Sequence, residues 1–128
     1  MLQISKAFSS FSVNDLAEAK HFYGQLLGLK IDEEDGMGLA LHLNEGSEVF
    51  VYPKDDHVPA TFTVLNFRVE NIDTAVDTLT AKGITFERYN QPQLQTDHKG
   101  ISRSTNPENG PSIAWFKDPA GNLLSLLQ

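Results

Sequence analysis

Four histidines, His21, His42, His57 and His98, are the only imidazoles in a chain that has no cysteine. A site for a soft or borderline metal would draw on them and on carboxylates. His21 falls off the apolar side of a helical stretch and reads as a surface residue. His57 lies in the polar stretch "PKDDHVPA" and reads as solvated. His98, in "TDHKG", has Asp97 beside it but needs further ligands from elsewhere. His42, in "LALHL", alternates with Leu41 and Leu43 and so faces away from them. It reads either as a hydrogen-bonded strand histidine or as a cavity residue. Arg68 is the most suggestive single side chain, because a guanidinium turned inward seeks a carboxylate or phosphate. The alternative is a head that reaches the rim or pairs with one of the 17 acidic residues. Trp115 and Tyr52 could stack on a planar ligand or simply fill core. Ser10, Ser12 and Ser125 lack the Gly-x-Ser-x-Gly elbow and an identifiable base, which argues against nucleophilic chemistry. The acidic run "DEED" lacks the ligand spacing of a calcium loop and reads as a solvated edge.

Composition narrows the classes of function. At 128 residues the chain is one domain or two small joined halves. A formal charge of −7, with 10 scattered basic residues, gives no stripe for tracking phosphates, so nucleic acid is not expected as a partner. No run approaches the roughly 20 apolar residues of a membrane span. Ser and Lys interrupt the first residues, which therefore do not read as a signal peptide. A cytoplasmic protein that meets no membrane is the expectation.

These side chains need elements to hold them. "SKAFSSFSV" reads as a strand. "NDLAEAKHFYGQLLG" reads as a helix, with Asn14 or Asp15 as cap, Asp15 and Glu18 at capping-box spacing, and Gly28 as its stop. "LKIDEE", "MGLALHL" and "EVFVY" read as strands, the first two joined by the Asp35-Gly36 hairpin signal. After the linker 53–60 the order restarts. "FTVLNFRV" is a strand, "NIDTAVDTLTAKG" a helix, and "ITFERY", "SIAWF" and "NLLSLL" three strands. Asp118-Pro119-Ala120-Gly121 suits a type I turn.

The chain thus reads as one α+β domain of two βαβββ units, 1–53 and 61–128. "FSVNDLAEA" and "FRVENIDTA" match Phe11 with Phe67, Val13 with Val69, Leu16 with Ile72 and Ala19 with Ala75. One asymmetry stands out. The residues 90–111 separate two strands of the second unit, and a loop that long is a lid, a binding loop or disordered.

"FSVNDLAEAKHFYGQLLGLKI", "NFRVENIDTAVDTLTAKGI" and "WFKDPAGNLLSL" together resemble the vicinal oxygen chelate superfamily. It includes glyoxalase I, fosfomycin- and bleomycin-resistance proteins and extradiol dioxygenases. The likeness spans nearly the whole chain. It is more specific for fold than for function, since one fold hosts many chemistries. It implies a glyoxalase-like curved sheet around a central cup with helices outside. It also implies a homodimer, and a divalent metal held by His, Gln and Glu that binds neighbouring substrate oxygens. Carried over by position, those ligand places fall at Phe8, Val64, Ser125 and Val51 or Tyr52. Hydrocarbon and a hydroxymethyl group do not hold a divalent metal, and a neutral phenol is a poor ligand. The resemblance therefore points to a chain with neither the family's metal nor any other cofactor.

With Phe8 at a ligand place, strand alternation turns Phe8, Ser10 and Ser12 towards the cup. Val64, Asn66 and Arg68 follow on the fifth strand, and Leu123 and Ser125 on the last. His42, Tyr52 and Trp115 complete the candidate ligand-binding set. A small organic ligand on a mixed aromatic and polar wall is the leading expectation. One alternative is an enzyme of the lyase, isomerase or dioxygenase type, either with metal ligands moved to His42 and His98 or metal-free through Arg68 and a tyrosine. Another is a partner domain whose cup is plugged by Phe8 and Val64.

Overall fold

A computed structural model describes all 128 residues and divides them into two compact units, Met1–Pro59 and Ala60–Gln128. In the first unit, strand β1 (Ser9–Val13) leads into helix α1 (Leu16–Lys20), and strands β2 (Lys30–Glu33), β3 (Leu39–His42) and β4 (Glu48–Pro53) follow. The sheet order is β1-β4-β3-β2, with β1 parallel to β4 and the other pairs antiparallel.

Asp15 is the helix cap, its carboxylate accepting from the Glu18 amide. Beyond Lys20 the helix widens into π-type turns over His21–Leu26, which the sequence pattern did not foretell. The widened segment still turns Phe22 and Tyr23 inward, and it sits close against the sheet. A Cβ on Gly24 would stand 3.1 Å from Ile31. Val13, Leu39, Leu41 and Val51 are buried, and Phe11 of β1 packs its ring against Tyr23. The Asp35-Gly36 hairpin forms as expected, with positive φ at both residues (40° and 76°), the geometry that suits the twist of the flanking strands. Residues 5–8 lie outside β1, so the first strand is shorter than its aromatic and hydroxyl pattern suggested.

The second unit repeats the plan. Strand β5 (Thr63–Arg68) leads into helix α2 (Ile72–Ala81), and Asn71 caps α2 by accepting from the Thr74 amide. A two-strand ribbon, β6 (Asn90–Gln91) with β7 (Leu94–Gln95), precedes β8 (Ile101–Ser102), β9 (Ile113–Lys117) and β10 (Leu123–Leu127). The main sheet runs β5-β10-β9-β8, again with its first and last strands parallel. Leu65, Ala114, Phe116, Leu124 and Leu126 are buried with Ile72 and Val76 of α2 as the core.

"ITFERY" does not form a regular strand. Its backbone joins the sheet through a single bridge, Phe86 to Phe116, and one bond from the Glu87 amide to the Trp115 carbonyl. The edge place passes to β8, whose approach depends on Gly100. There φ is +88°, and a Cβ would meet that of Phe86 at 2.8 Å.

The 90–111 segment is structured and pinned to α2 by ion pairs. Arg103 reaches Asp73 at 2.7 Å and Asp97 at 2.9 Å, and Lys99 reaches Asp73 at 3.0 Å and Asp77 at 2.9 Å. Asp97 also accepts from the amides of Lys99 and Ile101. Hydrogen bonds from Arg103 and Lys99 hold the Asp73 carboxyl well below its usual range. Burial opposes ionisation of Asp97, but the Ile101 amide and Arg103 outweigh it and its pKa is also lowered. A lowered folded-state pKa means the clamp is fully formed above the ordinary carboxylate range and is lost as pH falls through the folded values. The Arg103 Nε–Hε NMR resonance should therefore hold steady from pH 7 to 5 and move only below about pH 4. A shift centred near neutral pH would contradict the assignment.

Candidate functional site

The face of each sheet opposite its helix carries the polar and aromatic residues. In the first unit, strand pairing sets Ser10 beside Phe50 and Ser12 beside Tyr52, and sets Ala40 on the other side of Phe50. Phe50 and Tyr52 stack at 6.5 Å between ring centroids. Phe8 lies just before β1 and is 61% exposed, so it is not a buried plug. With Met37, Ala40 and Phe50 it lines a groove of about 320 Å³.

His57 corrects the reading of the linker as solvated. Its Nδ1 lies 2.6 Å from the Ser12 hydroxyl, and both side chains are half-buried. A serine with an imidazole beside it was not legible, because 45 residues separate them. His42 lies between two carboxylates, with Nε2 2.5 Å from Asp32 and Nδ1 3.5 Å from Glu48. Lys6 reaches Glu48 at 3.0 Å, so that carboxylate is shared. His21 and His98 are exposed.

In the second unit, Ser125 is fully buried between Asn66 on β5 and Trp115 on β9. Its hydroxyl donates to the Asn66 side-chain oxygen at 2.5 Å. Trp115 meets Tyr89 edge-on, with ring centroids 5.5 Å apart. Asn66, Ser125 and Trp115 thus stand together, and Tyr89, from the irregular 84–89 stretch, joins them unforeseen. Arg68 lies one pleat beyond Asn66, at the end of β5. It lines a different recess, with Ser112 and Gln128.

The internal repeat refines where a metal would have to sit. The helix caps Asp15 and Asn71 are equivalent positions of the two units, so Ser10 corresponds to Asn66 and Phe8 to Val64. Ser10 pairs with Phe50 as Asn66 pairs with Ser125. The fourth place is therefore Phe50, not Val51 or Tyr52. Val51 is fully buried on the helix side of its sheet. The four places hold two phenyl rings, an isopropyl group and a hydroxyl whose proton is given to Asn66. These residues do not fit a divalent metal. No grouping of three or more His, Asp or Glu side chains elsewhere is arranged to hold one.

Comparison with known proteins agrees with this architecture. The Glyoxalase/Bleomycin resistance protein/Dioxygenase superfamily model matches residues 7–126. Among solved structures, a glyoxalase family protein from Enterococcus faecalis aligns with TM-score 0.70 at 22% identity, over 97% of this chain and 98% of its own. The lactoylglutathione lyase of Agrobacterium tumefaciens aligns with TM-score 0.68 at 17% identity, over 97% and 93%. The genomically encoded fosfomycin resistance protein FosX of Listeria monocytogenes aligns with TM-score 0.71 at 13% identity, over 98% and 93%. No curated protein matches the sequence. At these identities the structural likeness speaks for the fold, while the family model covers nearly the whole sequence. The chain belongs to the glyoxalase/bleomycin resistance protein/dioxygenase superfamily.

Proposed function

We propose that this chain binds a small organic molecule on the helix-free faces of its sheets, without the divalent metal that its family resemblance implies. The observation that carries the reading is the chemistry at the four equivalent places, Phe8, Phe50, Val64 and Ser125. Hydrocarbon stands at three, and the hydroxyl at the fourth is already bonded to Asn66. Each unit also offers a ring pair that can stack on a planar ligand, Phe50 with Tyr52 in the first and Trp115 with Tyr89 in the second. Ser10, Ser12 and Asn66 add polar groups that can orient it.

Trp115 is the only tryptophan in the chain, so its emission reports on this face alone. A planar organic ligand should quench it saturably, with or without a chelator.

A second reading is an enzyme whose metal ligands have moved. Its nearest candidate ligand is His42, although both ring nitrogens already meet carboxylates, those of Asp32 and Glu48. It requires metal-dependent activity that His42→Ala abolishes, while Ser125 and Phe50 play no part.

A further inference from the structure

We propose that the groove beside the end of β5 is a binding site for a small organic carboxylate, with Arg68 as its anchor. The chain has 17 acidic residues against 10 basic ones, and most cations find a partner. Lys6, Lys20, Lys54, Lys99, Arg103 and Lys117 all make ion pairs. Arg68 makes none, although it is exposed in a chain with a surplus of carboxylates. It lines a groove of about 560 Å³ bounded by Pro107, Pro111 and the loop that Arg103 pins.

Ser112 and Gln128 each keep a donor for a ligand in this groove. Ser112 accepts from the Ser104 amide through its hydroxyl oxygen, which leaves its O–H proton to give. Gln128 accepts from the Ile72 amide through its side-chain oxygen, which leaves its NH₂ to give. Ser104 already donates to the carbonyl of Gly110. The Asp73 carboxylate is taken up by Arg103 and Lys99, so it does not compete for Arg68. Both oxygens of a carboxylate match a guanidinium fork, and the hydroxyl and amide can complete its acceptor positions. One uncompensated positive charge, with Asp73 and Asp97 close by, favours a monoanion over a dianion. Pro107 and Pro111 offer apolar walls for the body of the acid.

This groove does not include Trp115, so it and the Trp115 face can fail separately. The test is NMR observation of the arginine Nε–Hε groups during titration with benzoate, at fixed pH and ionic strength. The Arg68 resonance and the Ser104 and Ser112 amides should shift saturably. Arg88, also outside any ion pair and exposed, should show only a small linear drift. R68Q should remove the saturable response, and S112A should weaken binding by about threefold to tenfold. Both variants should leave the rest of the spectrum unchanged. Equal linear drift at Arg68 and Arg88 would overturn the site, and so would saturation that survives R68Q. Inorganic phosphate binding more tightly than benzoate would overturn its assignment to carboxylates.

Discussion

Phe116→Ala should destabilise the second unit by about 3–5 kcal/mol, the usual range for deleting a buried phenyl ring. Phe116 is fully buried at the centre of β9, beside Leu124 of β10. Its ring lies 5.3 Å from that of Phe86, and the two residues form the one bridge that ties the 84–89 stretch to the sheet. The truncation therefore removes packing where the sheet has no regular ladder to compensate. The cost should exceed simple transfer of the ring, because a strand in mid-sheet cannot collapse into the space. Urea unfolding monitored by circular dichroism measures it. Phe116→Leu, which keeps most of the volume, should lose far less. A loss below about 1 kcal/mol for the alanine variant would mean that this core is not packed as described.

Asp118→Ala should cost about 2–4 kcal/mol, more than its place in a turn suggests. Asp118 is only 4% exposed and Asn122 only 2%. One carboxylate oxygen accepts from the amides of Ala120 and Asn122, each at 2.9 Å, and the other accepts from the Asn122 side-chain NH₂ at 2.9 Å. Alanine would take an acceptor in a dry site away from the amides of Ala120 and Asn122 and from the Asn122 side-chain NH₂, and losing a buried acceptor costs more than the bonds it had been making. Asp118→Asn should recover part of the loss. One amide oxygen can still accept, but its NH₂ would face that of Asn122. The same denaturation measurement checks both, and equal losses for Ala and Asn would show that the charge, not the acceptor geometry, holds the turn.

The turn, the hairpin at Asp35-Gly36 and the cap of the first helix were legible because each rests on local chemistry. A carboxylate or amide oxygen reaches an amide three residues on, and a positive φ favours Gly. The repeat was legible because the same apolar pattern recurs 56 positions later, with Phe11 matching Phe67 and Leu16 matching Ile72. What escaped the sequence depends on pairing between distant strands. "ITFERY" has strand residues, yet Gly100 lets β8 take the edge, and that competition shows only when the two segments meet. Phe50, as the counterpart of Ser125, follows from the register of β1 on β4, which one-residue counting errors obscure. His57 met Ser12 because its linker folds back, the Lys54 amide bonding to Val13 and the His57 amide to Lys54. Arg68, expected to face the cup, instead stands at the end of β5, where it lines a groove of its own that includes neither Ser125 nor Trp115.

The titration of Trp115 emission with planar organic compounds, run in parallel with chelator and with nickel, zinc, manganese or iron(II), tests the metal-free binding reading most directly. We expect a compound that quenches saturably, with the same affinity in every condition, and no rise in melting temperature from metal alone. Quenching that appears only with a divalent metal, or metal found near one per chain in protein purified without chelator, would contradict it.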